Sequence, residues 1–177
     1  MPAREPSRST GAARRRVQAL LQQDHAAIGA AFAAVEALPP ATAIATAQPL
    51  VAATLALLER HAQLEALLFY PAVRALAGEL VDEAEVEHAA MASLIEQIRA
   101  GDPRDVKYVA RFKVLGEYLR HHVGEEEGAL FARLEGGTLP WVEIEARIVA
   151  MRAPEPKTRA PAAAAAAKRA PRGGQKL

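Results

Sequence analysis

YLRHHVGEEEGALF, residues 118–131, sets two histidines and three glutamates among residues that are mostly apolar. Burying such groups without partners costs free energy, and a surface helix has no need of the cluster. Helix geometry divides them. At about 100° per residue with His122 at zero, Leu115, Leu119, Phe112, Leu130 and Val123 span roughly 20° to 100°. Glu126 falls at about 40°, inside that apolar sector, with His122 at its edge. His121 at about −100° and Glu125 at about −60° lie outside it, and Glu127 at about 140° is at or beyond the margin. The inward pair is therefore His122 and Glu126, stacked one turn apart.

The same pair recurs as His61 and Glu65 in HAQLEALLFYP, residues 61–71. The whole body reads as helix, rich in Ala, Leu, Glu and Arg, with no run of period two. A first helix is expected from about Ala13 to Leu38, stopped by Pro39-Pro40. Its apolar line of Val17, Leu21, Ile28, Phe32 and Val35 is interrupted by His25. A second runs from about Ala47 to Phe69, with Pro71 ending or kinking it. Val51, Leu55, Leu58, Leu64 and Leu68 form its apolar side. A third, about Glu79 to Ala100 and closed by Gly101, carries Val81, Ala84, Met91, Ile95 and Ile98, interrupted by His88. A fourth starts at the cap-like Asp102-Pro103 and ends near Gly136-Gly137. A short fifth, about Pro140 to Met151, turns Trp141, Ile144 and Ile148 inward, Trp141 plugging one end. Short connections make successive helices antiparallel neighbours. The expected fold is all-α: an up-down-up-down four-helix bundle with a short C-terminal fifth helix.

Residue counts from each histidine to its helix end agree to within a turn across the first two junctions. The last does not: Pro103 to His122 is longer than His88 to Ala100 by about 10 Å of helix. Either the fourth helix overhangs, or its start around Arg104–Tyr108 is irregular.

The 177-residue chain has no cysteine, which excludes disulfides, thiolate-held iron–sulfur clusters and thiol redox chemistry. No stretch reaches the length of a membrane span and no signal-type apolar run follows the basic start, so a soluble cytoplasmic protein is expected. Charge is uneven. Residues 1–16 hold five Arg and one Glu, residues 152–177 hold seven Lys or Arg and one Glu, and 17–151 carry a net −9. The domain reading is a disordered basic arm over 1–12, a bundle over 13–151 and a disordered Pro/Ala/Lys/Arg-rich tail over 152–177. The tail suits weak contact with nucleic acid or an acidic partner, although such blocks are more often solubilising tails.

A single histidine on an apolar face is usually a hydrogen-bonded core residue, and one His-x-x-x-Glu is common on helix surfaces. One inward histidine on each of four successive helices, with glutamate a turn later on the second and fourth, is a different matter. Buried carboxylates need positive charge between them. Two metal ions answer that need, bridged by the glutamates and capped by the imidazoles. This donor set, lacking thiolate, suits iron or manganese and is compatible with zinc.

The order His25, His61-x-x-x-Glu65, His88, His122-x-x-x-Glu126 resembles the hemerythrin-like, or HHE cation-binding, family over about residues 13–135. The resemblance implies a non-haem centre of two iron ions with an oxo or hydroxo bridge. It also implies terminal ligands His25, His61, His88 and His122, with Glu65 and Glu126 bridging. Oxygen-carrying hemerythrins have a further histidine four residues from that of the third helix. Here those positions are Ala84 and Ala92. Tyr118, a turn before His122, is a candidate for the open position, with Glu85 and Glu87 weaker ones. The departure argues against reversible oxygen carriage. The expected function is to bind or react with dioxygen, hydrogen peroxide or nitric oxide, as a peroxide-consuming protein of catalase-like activity or as an oxygen or redox sensor. Phe32, Leu58, Met91 and Leu119 would keep the pocket dry. The alternative is a metal-stabilised interaction module whose basic tail binds nucleic acid or an acidic partner.

Overall fold

The computed structural model describes residues 8–39 and 47–153. Those residues form helices and connections, with no strand among them. The first seven residues and the tail beyond 153, where most of the expected disorder falls, lie outside the described residues.

Helix α1 spans Arg8–Glu36, α2 Gln48–Leu64, α3 Tyr70–Ala100, α4 Val106–Glu125, α5 Phe131–Arg133 and α6 Trp141–Arg152. Thus α1 begins five residues before the expected Ala13, inside the segment read as an arm. Arg152, read as the start of the tail, closes α6 and is partly buried. Two wide π-helical turns, Glu65–Phe69 and Glu126–Leu130, join α2 to α3 and α4 to α5.

Pro71 does not end the second helix. A proline in an α-helix removes an amide donor and crowds the carbonyl four residues earlier. The wide turn just before it relieves that crowding, with the Tyr70 amide bonding the Glu65 carbonyl five residues back. The break comes later, at Ala77, whose φ of −143° and ψ of 38° are non-helical. The start of the fourth helix is also corrected. Asp105, not Asp102, is the cap, accepting from the Lys107 amide, and residues 102–105 form a turn. This removes about three residues of the excess length noted above, while Val106–Tyr108 are regular helix, so an irregular start accounts for only part of the mismatch. Gly136, at φ 76°, follows the end of the fourth helical segment.

The core lies in two apolar compartments. One gathers Val17, Leu21, Leu64, Phe69, Val81, Leu130 and Trp141. The other gathers Ile28, Phe32, Leu58, Met91, Ile95, Phe112 and Leu119, including all four residues expected to keep the pocket dry. Each inward histidine stands between them in sequence: His25 between Leu21 and Ile28, His61 between Leu58 and Leu64, His88 between Ala84 and Met91, His122 between Leu119 and Leu130. A polar layer therefore separates two dry ends. Phe32 and Phe112 stack across α1 and α4 with centroids 4.8 Å apart. Gly116 permits that approach, since a β-carbon there would stand 3.2 Å from the Phe32 ring. Among the described residues no helix is long and apolar enough to cross a membrane.

Candidate metal centre

Five of the six expected residues, His25, His61, Glu65, His122 and Glu126, are at most 4 % exposed. His88 is partly buried, its side chain 13 % exposed. Their donor atoms fall into two groups, each within 4.8 Å: His25, His61, Glu65 and Glu126, then Glu65, His88 and His122. Glu65 belongs to both. Its Oε1 lies 2.9 Å from His61 Nε2 and 3.6 Å from His25 Nε2, while its Oε2 lies 3.4 Å from His88 Nε2. Glu126 Oε2 stands 3.2 Å from His25 Nε2 and 3.9 Å from His122 Nε2.

Local sequence produces this convergence. Each His-x-x-x-Glu places its imidazole and carboxylate on one face. Each π turn then begins at the glutamate itself, and such turns are frequent at functional sites. The outer ring nitrogens of His25 and His122 are held by carboxylates, and a third carboxylate stands near that of His61. His25 Nδ1 is 2.8 Å from Glu127, His122 Nδ1 2.8 Å from Glu87, and His61 Nδ1 3.7 Å from Asp24. Those carboxylates are held in turn. Gln22 donates to Glu127, Arg152 to Asp24, and His121 Nε2 lies 3.3 Å from Glu87. Orienting partners of this kind fix the ring and raise its basicity toward a metal.

Two assignments change with the structure. Tyr118 is 46 % exposed. Tyr70, fully buried, is the aromatic at the centre. Its hydroxyl is 3.3 Å from His88 Nε2 and 3.5 Å from both Glu65 Oε2 and His122 Nε2. Sequence reasoning missed it because a regular α-helix turns Tyr70 about 140° away from Glu65. The wide turn carries it back, and Pro71 was the available signal. Glu87 serves His122 from outside, and Glu85 pairs with Arg74. Asp24 and Glu127 also escaped notice, since acidic residues at the edge of a helix face look like ordinary surface.

Electrostatics test whether cations fit. Burial disfavours every charge in the layer, and neighbours decide the outcome. At His25 burial is outweighed by the carboxylates of Glu126 and Glu65, which push its pKa up to about 10. At His61 burial is outweighed by Glu65 and Asp24, up to about 9. Burial works against ionised Glu65 too, yet His61, His25 and His88 hold it well below the usual carboxylate range. Burial and the charge of Glu65 push Glu126 up to about 8. Burial, together with His88, lowers His122. The Tyr70 hydroxyl is raised by burial and by Glu65, Glu126 and Glu87. The side chains alone thus meet the buried negative charge with protons. Even so, His25 Nε2, both His61 ring nitrogens, Glu65 Oε1 and both Glu126 oxygens make no hydrogen bond. Converging, unpartnered nitrogen and oxygen donors around a shared carboxylate fit metal cations.

Comparison with known proteins agrees. A stretch of 78 residues is 36 % identical to a DNA nickase of Nostoc sp. strain PCC 7120, covering 44 % of this chain and 22 % of that protein. This chain therefore corresponds to only a small part of that relative. No solved structure matches the chain. The model of the hemerythrin HHE cation-binding domain matches residues 16–134, which contain all six expected ligands. With that match spanning the helices that build the polar layer, the chain belongs to the hemerythrin HHE cation-binding domain family.

Proposed function

We propose that the chain holds two iron ions in its polar layer and reacts with dioxygen, hydrogen peroxide or nitric oxide. The observation that carries this reading is Glu65, shared by both donor groups. His25 and His61 would cap one ion, His88 and His122 the other, and Glu65 and Glu126 would bridge. When bound, such ions supply Lewis acidity and electrons to an oxygen-containing ligand. The chain's own residues do the rest. Glu127 and Glu87 hold the His25 and His122 imidazoles, with Asp24 beside His61. The apolar compartments exclude water above and below. Tyr70 offers a hydroxyl on the His88 and His122 side, where the resemblance left a ligand position open. The two core compartments are visited in alternating order along α1, α2, α3 and α4, which supports an up-down-up-down bundle, with α6 as its fifth helix.

Metal analysis with absorption spectra, in air and after reduction, tests the reading. Two irons per chain, a ligand-to-iron charge-transfer band and consumption of peroxide are expected. A colourless protein with fewer than one iron per chain would sink it. A second reading draws on the basic tail and on the DNA nickase similarity: a metal-stabilised module that contacts nucleic acid. It requires salt-sensitive DNA binding that disappears when residues 154–177 are removed.

A further inference from the structure

Two clefts reach the polar layer, one of mixed charge and one acidic. One, of about 180 Å³, leads to His61 past Arg60 and Arg152. The other, of about 270 Å³, leads to His122 and Glu126 past Glu83, Glu87 and Glu125. Among the described residues lining the second cleft there is no Lys or Arg. Glu83 and Glu125 are exposed and Glu87 is half-buried, so the carboxylates descend from solvent toward the centre. At the floor stands Glu126, 2 % exposed, with neither carboxylate oxygen hydrogen-bonded. Ala84 lines the wall with a short side chain.

We propose that this acidic cleft is the route by which divalent metal ions reach the centre, with Glu83 and Glu125 as the outer capture pair and Glu126 as the receiving ligand. The proposal rests on the dinuclear reading above. A cleft lined by one sign of charge concentrates counter-ions and raises their on-rates, about 10- to 10³-fold, in a salt-dependent way. The cleft on the His61 side is lined by Arg60, Arg152 and Asp24, the last paired with Arg152, and lacks such a run of carboxylates. Glu87 is unsuited to a test because it also orients His122, whereas Glu83 and Glu125 have no such duty.

The probe is cobalt(II), added without oxygen to the metal-free full chain and followed by its visible absorption in a stopped-flow instrument. The Glu83→Gln/Glu125→Gln double variant should take up cobalt about tenfold more slowly at low salt. Its final stoichiometry should equal that of the unaltered chain, and its rate should depend less on ionic strength. Arg60→Gln, on the opposite cleft, should change the rate little. Unchanged kinetics in the double variant, or a marked acceleration in Arg60→Gln alone, would overturn the route while leaving the centre intact. Failure of the unaltered chain to bind cobalt would overturn both readings. Circular dichroism of the variants separates a kinetic effect from loss of fold.

Discussion

The two halves of the centre look alike in sequence and differ in their surroundings. Each of the two buried glutamates follows a histidine by four residues and opens a π turn. Around His25 and His61, whose rings meet edge to face 4.6 Å apart, the neighbours are Glu127, Asp24 and, behind Asp24, Arg152. Around His88 and His122 stand a buried hydroxyl from Tyr70, the short Ala84 and an acidic cleft, and His88 is the most exposed of the four. A repeated local motif thus sets donors in place, while the residues that pack against it decide the charge of the cleft that reaches each half. We expect small ligands to meet the second half.

The comparison is broken most completely at the residue both halves share. Glu65→Ala should abolish binding of both metals, seen by elemental analysis. It should also destabilise the metal-free fold by about 3–5 kcal/mol in urea titration, because buried imidazolium groups lose their counter-charge. Two metals retained would refute the bridging role. Next in size, His61→Ala and His122→Ala should each reduce loading from two ions toward one, from opposite halves. Loss of both ions in each variant would show that the halves fill only together.

The pH response of the metal-free protein sharpens the contrast. His25 and His61 have folded pKa values of about 10 and about 9, above the unfolded value of about 6.5. Their contribution is fully present below that unfolded value and is lost as pH rises through 9 to 10. Glu126, raised to about 8, acts in the same direction between its unfolded value and pH 8. His122, lowered, and Glu65, lowered, contribute above their unfolded values and lose that contribution at acid pH. Between pH 7 and 10 the metal-free fold should therefore weaken, by on the order of a few kcal/mol. The loaded protein should respond much less. Equal urea midpoints for the metal-free protein at pH 7 and pH 10 would contradict this.

Smaller effects probe the outer carboxylates. Asp24→Asn and Glu87→Gln should each weaken metal binding about tenfold, since such partners orient the ligands they touch. Chelator competition measures it, and no change in either would remove their orienting role. Smallest of all, Tyr70→Phe should cost about 1 kcal/mol in stability. It should also alter the visible spectrum of the iron-loaded protein with stoichiometry kept. Tyr118→Phe should do neither. The reverse result would return Tyr118 to the centre.

Much of this was legible in the chain itself. The helical class and the inward set of His25, His61, Glu65, His88, His122 and Glu126 follow from apolar periodicity, because a regular helix repeats its face every three to four residues. The same arithmetic separated Glu126 from Glu125 and Glu127 without coordinates. Helix ends were less secure. Asp102 reads as the cap of the fourth helix, whereas Asp105 accepts from the Lys107 amide and starts it. Arg152 looks like part of a basic tail until Asp24, on α1, is seen to receive it.

Spacing along the chain thus determined which side chains turn inward, because α-helical rotation per residue is a local property. Tertiary structure alone decided what stands beside them. Tyr70 reaches the centre only because the backbone widens after Glu65, a departure from regular rotation that packing and Pro71 stabilise. The acidic cleft likewise exists only where the faces of α3 and α4 carrying Glu83 and Glu125 come together. The cleft depends on contacts between residues distant in sequence, and a regular helical period encodes neither feature.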